Sequence, residues 1–313
     1  MSLEIRYPDV YSVPVYSVFS LRWNAPTHFN RRILGKFPNV KKFKLSGYKI
    51  SSLDSVEVFT KLTSLECFYT SISTLWPLYD VTTLKKIICE GSHIINLSGL
   101  ENCTSLKKAV FDSGRLNTLL GLENAMNLKY LSFSNNTIDD TSILRNFQYL
   151  EELYCNVNSI TNLGTSLSSR LRVLACSFNG ISDLSVLENC PNLVTLECNG
   201  NLLRNLDVLR NCTNLEHLSC SNNRLENLDW LENCTELLEL ECCFNHLSNI
   251  DGLRNCTKLK KLECDHNLLT NIQILANHND LTSLSCSYNQ ITSLQGIENC
   301  HYLLSIDCSN NQL

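Results

Sequence analysis

Apolar residues fall on a fixed grid along most of this chain. Copies of the pattern Leu-x-x-Leu-x-Cys-x-x-Asn-x-Leu-x-x-Leu-x-x-Leu open at Val40, Leu62, Leu84, Leu106, Leu128, Leu150, Leu171, Leu193, Leu215, Leu237, Leu259, Leu281 and Leu303. Each step is 22 residues except that from Leu150 to Leu171, which is one shorter. One copy reads Leu215, Leu218, Cys220, Asn223, Leu225, Leu228, Leu231. Its fourth and sixth positions have the two-residue period of a strand, so both side chains point to one interior. A single copy cannot bury that face alone, which predicts a stack of parallel strands. The later leucines recur every three residues, which suits an extended stretch passing into a short helical or 3₁₀ turn on the outer side. Outer turns are wider than packed strands, so the stack should curve with its sheet inside.

Asparagine recurs at Asn136, Asn158, Asn179, Asn201, Asn223, Asn245, Asn267, Asn289 and Asn311. An amide both donates and accepts, and these predict a buried hydrogen-bonded ladder where each strand turns inward. Tyr48, Thr70, Ser92 and Gly114 take that place in the early copies.

The whole pattern resembles the leucine-rich repeat superfamily over residues 40–313, twelve full copies and one cut off at Leu313. Its 22-residue form is similar to the class containing the regulatory leucine-rich repeat subunit of type-1 protein phosphatase and the bacterial internalins. The resemblance implies an α/β solenoid, a curved horseshoe with a parallel β-sheet on the concave face and short helices, 3₁₀ turns and loops on the convex face. It also implies a non-catalytic scaffold that binds a partner protein through acidic and aromatic concave residues, a phosphatase regulatory subunit being one form of that role.

Residues 1–39 stand outside the register. Tyr11, Val13, Val15, Phe19, Leu21 and Trp23 keep an alternating parity, which reads as an N-terminal cap over the open core of the solenoid, 40–313; a separate partner-binding module is the rival reading. At the other end the last copy stops in mid-repeat. The expectation is that more chain follows, or that another molecule covers the open C-terminal edge, which leaves self-association or a structural role in an assembly as an alternative function.

Charge is unequally spread. Residues 1–130 hold 16 Lys+Arg against 10 Asp+Glu, and 131–313 hold 10 against 21. Lys41, Lys42, Lys85, Lys86, Lys107, Lys108 and Lys129 cluster early on the inner face, whereas Tyr154, Phe178, Glu197, Glu239, Glu241, Phe244, Glu263, Tyr288 and Asp307 follow later. The later group, joined by His217 and His266 and without Asp307, is the candidate partner-binding set, since aromatic anchors and complementary charge mark interfaces. The bland alternative is that the charges only solvate an exposed sheet. Nucleic acid is disfavoured by the net charge of −5 and by the lack of a recognition motif.

Seventeen cysteines would ordinarily suggest a disulfide framework. Ten occupy the sixth repeat position and six the position before the next copy, where neighbouring Cβ vectors run parallel and suit a disulfide poorly. They read as core residues of a protein kept reduced, hence intracellular, in cytoplasm or nucleus, rather than secreted. Met1–Val10 lack the pattern of a signal peptide, and no apolar run is long enough to span a membrane. With secretion disfavoured, the sequons at Asn96, Asn102, Asn135, Asn211, Asn233 and Asn255 carry little weight. No close Cys or His pair suggests a metal, and no cofactor or small-molecule substrate is expected. Cys243 alone lies outside both columns, a candidate reactive thiol at most. No catalytic motif stands clear of the repeat, so the chain does not read as an enzyme.

Overall fold

The computed structural model describes residues 2–5, 19–23 and 30–313, so Tyr11, Val13 and Val15 lie outside the described residues. Two compact units, Met1–Ser159 and Ile160–Leu313, repeat one construction. Their boundary falls within the one short repeat.

In the first unit the strands are β1 (Ser2–Ile5), β2 (Ser20–Trp23), β3 (Lys42–Ser46), β4 (Ser64–Phe68), β5 (Lys86–Glu90), β6 (Lys108–Val110), β7 (Tyr130–Ser132) and β8 (Glu152–Tyr154). Each pairs in parallel with the next. From β2 onward, partners stand 22 residues apart: Leu21 beside Phe43, then Leu65, Ile87, Ala109, Leu131 and Leu153. Leu21 and Trp23 are buried at the inward positions, so the described part of residues 1–39 joins the sheet one step before Val40. Phe19, of the same parity, is exposed. A four-residue helix α1 (Arg31–Leu34) links β2 to β3, capped by the Asn30 side chain accepting from the Ile33 N–H.

The second unit holds β9 (Val173–Ala175), β10 (Thr195–Glu197), β11 (His217–Ser219), β12 (Glu239–Glu241), β13 (Lys261–Glu263), β14 (Ser283–Ser285) and β15 (Ser305–Asp307), again all parallel. Five-residue 3₁₀ turns recur on the outer side at Ser185–Asn189, Asp207–Asn211, Asp229–Asn233, Asp251–Asn255 and Gln273–Asn277. The core is what the spacing requires: Leu215, Leu218, Cys220, Leu225, Leu228 and Leu231 are all buried. Each such leucine contributes about 2 kcal/mol of burial. Among the described residues, no helix is long and apolar enough to cross a membrane.

The asparagines of the recurrent column bond backbone groups of neighbouring repeats. The Asn223 Nδ2 donates to the carbonyls of Cys198, Cys220 and Ser221, and its Oδ1 accepts from the Leu203 N–H at 3.0 Å. Early copies lack that closure: the buried Thr70 hydroxyl has no partner, and Tyr48 is exposed. All seventeen cysteines are free thiols. Those before the next repeat donate weakly to upstream carbonyls, as Cys256 does to Leu231 at 3.5 Å. Where this column reaches His278, the ring Nε2 takes over the role at 3.1 Å from the Leu253 carbonyl.

Candidate functional site

A left-handed turn ends each inner strand segment, four residues after the inward leucine or its equivalent. Glycine and asparagine suit that conformation, and Gly91, Asn135, Gly200, Asn222 and Asn310 occupy it. The same position holds Phe178 (φ 56°), Phe244 (φ 54°), His266 (φ 54°) and Tyr288 (φ 52°). A branched or bulky L-residue costs on the order of 1 kcal/mol there. The second unit thus carries four ring side chains where its backbone geometry disfavours them.

Three of those rings come together. Phe244 stacks on His266 with centroids 4.1 Å apart and planes 12° from parallel, and His266 stacks on Tyr288 at 4.2 Å and 9°. Phe244 and Tyr288 remain 50% and 51% exposed, so the stack stands open to solvent. Phe178, 58% exposed, lies apart with its ring over Gly200, where a Cβ would come within 2.6 Å of it.

Beside the stack runs a belt of carboxylates. Glu197, Glu239, Glu241, Glu263, Asp265 and Asp307 face the exposed side of this sheet against Lys261 alone, a formal −5 with the histidines neutral. Lys261 binds Glu241 and Glu263 at 2.8 Å each, and the Ser219 hydroxyl donates to Glu241 at 2.9 Å. The Lys261 hydrogen bond holds the Glu241 carboxyl below the usual range, and the two glutamates hold the Lys261 ammonium above its own. His217 Nδ1 lies 3.5 Å from Glu239. Asp265 is buttressed by the Ser285 and Ser287 hydroxyls and the Ser287 N–H, all within 2.7 Å; these bonds outweigh its burial and keep it ionised.

The inner acidic patch is therefore not a bare run of charge, and Lys261, Ser219 and Asp265 are members that residue-type reasoning passed over. Register arithmetic would have found Lys261, which pairs with Glu239 across the strands and lies diagonal to Glu241. Cys243 is no reactive thiol: burial pushes it up to about 12, and its Sγ donates to Asp265 at 3.4 Å. Among the described residues no group of three His, Cys, Asp or Glu could hold a metal ion.

Tyr154 belongs to the first unit. It stacks at a tilt on Tyr130, 5.2 Å away, and its hydroxyl donates to Glu152 at 3.0 Å. Several of the early lysines are engaged one by one. Lys86 and Lys44 both reach Glu66, at 2.6 and 3.6 Å, Lys129 pairs with Glu151, and Lys108 sits 3.4 Å over the Tyr130 ring. A depression of about 230 Å³ near Arg22, Lys42, Lys44 and Glu66 is shallow and mixed in charge.

The sequence profile described as Leucine Rich repeats (2 copies) matches residues 169–211 and 213–255. No curated protein matches the chain in sequence. Among solved structures, an internalin, InlF, from Listeria monocytogenes superposes with a TM-score of 0.77 at 22% identity, covering 90% of each chain. The functional domain of InlJ from the same species, described as including a cysteine ladder, gives 0.74 at 26% identity, over 90% of this chain and 65% of that one. The plant peptide hormone receptor RGFR1, solved in complex with RGF2, gives 0.70 at 14% identity, over 93% of this chain and 58% of that one. These likenesses concern the fold, and with the 22-residue register and the parallel strand column they show a leucine-rich repeat fold similar to that of the internalins.

Proposed function

We propose that this protein is a non-catalytic interaction scaffold whose second unit binds a partner protein across its exposed sheet face. The observation that carries this reading is the Phe244–His266–Tyr288 stack, kept open to solvent on consecutive repeats in a backbone conformation that disfavours Phe244 and Tyr288. Strain retained at an exposed aromatic cluster points to use rather than to packing. Glu197, Glu239, Glu241 and Glu263 supply a negative belt that orients a basic or mixed partner surface, with His217 at its margin; Phe178 is a second anchor, and Tyr154 extends the set on the first unit. Glu241 has no catalytic part in this reading, since a carboxylate kept ionised on an open face lacks the raised pKa of a general acid. Seventeen free thiols favour a reducing, intracellular setting.

The test is a comparison of proteins captured from the native source by the wild type and by Phe244→Asn/His266→Asn/Tyr288→Asn, in which asparagine accepts the left-handed turn. Loss of a specific partner by the variant, with an unchanged melt, is expected. Retention of every partner overturns this site.

A further inference from the structure

The outer side of the first unit carries an aromatic pair that neither the core nor the sheet face uses. Trp76 and Tyr79 extend from the 3₁₀ turn Trp76–Leu78, their ring centroids 5.1 Å apart and their planes 26° from parallel. They are 60% and 40% exposed. Residues three apart eclipse on a 3₁₀ turn, and Pro77 between them fixes its own φ, so the stacking is built into the backbone. Equivalent turns of the second unit place Asp207, Asp229 and Asp251 where Trp76 stands, and Arg210, Glu232 and Arg254 where Tyr79 stands. The aromatic pair is thus a departure from the repeat and not a product of it.

The register surrounds the pair with carboxylates. Glu57 and Glu101 hold the Tyr79 position one repeat to either side, Asp54 holds the Trp76 position in the preceding repeat, and Asp80 follows Tyr79 directly. The turn Val56–Val58, which Asp54 and Glu57 flank and enter, packs on Trp76–Leu78. Glu101 accepts from the Gly99 N–H at 2.7 Å. Among the described residues, the first unit's ion pairs involve Glu66 and Glu151 only, so none of these four carboxylates has a cationic partner. Arg32 stands one repeat before Asp54 and Lys36 one repeat before Val58, and neither forms an ion pair with Asp54, Glu57, Asp80 or Glu101. The lysines that lie over rings in this unit, Lys41, Lys44 and Lys108, are over Phe19, Phe68 and Tyr130, not over Trp76 or Tyr79.

We propose that this outer patch docks a cationic segment of a partner protein, with an arginine or lysine side chain laid on the open face of Trp76 and its charge among Asp54, Glu57 and Asp80. Tryptophan offers the strongest cation–π surface of the aromatic side chains, and Trp, Tyr and Arg are the residue types enriched where interfaces are most sensitive to truncation. Unpaired carboxylates around the rings supply the complementary field and keep anionic partners away. The patch shares no residue with the proposed site on the second unit, and each stands or falls without the other.

Trp23 and Trp230 are 1% and 0% exposed, so Trp76 is the accessible fluorophore of the full chain. Titration with tetra-arginine should give a saturable change in its emission that weakens with salt, while an uncharged glycine–serine peptide gives none. In Asp54→Asn/Glu57→Gln/Asp80→Asn, which keeps both rings, the affinity should fall by about fivefold or more. On the wild type alone, with each slope divided by that for free tryptophan amide, caesium should quench Trp76 more steeply than iodide, so the idea does not depend on a variant folding. Emission unchanged at millimolar tetra-arginine, an equal response to the neutral peptide, undiminished affinity in the amide variant, or normalised iodide quenching as steep as caesium would each overturn the proposal.

Discussion

At the scale of single residues, the left-handed position shows how two small terms compete. Phe178 and Phe244 share one backbone conformation, but Phe244 gains a stacking partner and Phe178 does not. Asparagine in place of either should recover about 1 kcal/mol of conformational strain. In Phe244→Asn the lost stacking, about 1 kcal/mol, offsets that gain, whereas Phe178→Asn loses only contact with Gly200. Urea unfolding should therefore show Phe178→Asn more stable by roughly 1 kcal/mol and Phe244→Asn near neutral. Equal and large losses in both would mean that the rings are structural and would weaken the binding reading. The conformation itself was legible in the sequence, because Gly91, Gly200, Asn135, Asn222 and Asn310 share the column. The stacking was not, since side-chain rotamers decide it and register fixes only which rings are neighbours.

His278 is a second residue-scale case. It stands in a column of cysteines, its Nε2 donating to the Leu253 carbonyl while its buried Nδ1 has no partner. Burial lowers its pKa below the usual histidine value. The unfolded chain then binds a proton that the folded protein resists. Stability from this group is fully present above about pH 6.5 and is lost as the pH falls through the depressed folded value, by about 1.4 kcal/mol for each unit of depression. Cysteine at this position donates to the same carbonyl without titrating in that range. Melts of His278→Cys between pH 7 and 5 should lose less stability than wild type; parallel curves would show that other groups govern the acid limb.

At the scale of the repeat, the asparagine column joins backbone groups that strand pairing leaves over. Removing the Asn223 amide strands the Leu203 N–H in a dry interior, while the carbonyls of Cys198, Cys220 and Ser221 each lose one of two donors and keep the Asn201 amide, the Asn245 amide and the Gly200 N–H. Asn223→Ala should cost about 1 to 3 kcal/mol, the penalty of one stranded buried donor. Asn311 makes the equivalent bonds but is only partly buried, so water replaces part of what alanine removes. A cost for Asn311→Ala as large as that for Asn223→Ala would show that the amide matters for turn geometry more than for satisfying buried groups. These elements were legible because a 22-residue period fixes every neighbour by addition. Where period and composition diverge, only part was legible: the alternation of Leu21 and Trp23 announced a strand, but Ser20–Trp23 lacks the opening leucine and the asparagine that would have placed it in register with β3. The ion pairs around Glu66 and Lys261 were missed for a related reason, since charge was summed over segments when the register gives it residue by residue.

At the scale of the whole molecule, the thiols test how the stack opens. Fifteen of the seventeen cysteines are buried, and only Cys243 and Cys308 are partly accessible. Burial pushes Cys176, Cys234 and Cys256 up to about 12, so they are protonated as well as covered. Cys243 is held up to the same level by its own burial, which leaves Cys308 as the site a thiol reagent should label first. A stack in which each repeat touches only its neighbours can nevertheless fray from its ends, and each repeat that frays exposes its own cysteine. Labelling of the native protein at neutral pH, read by mass spectrometry of peptides, should therefore proceed from Cys308 to Cys300 and Cys286 before it reaches Cys220 or Cys198. With no disulfide to lose, the melt should be the same with and without reductant. Simultaneous labelling of all buried thiols would mean that the repeats open as one cooperative block, and a reductant-dependent melt would mean that the parallel thiol columns can be forced into disulfides despite their geometry.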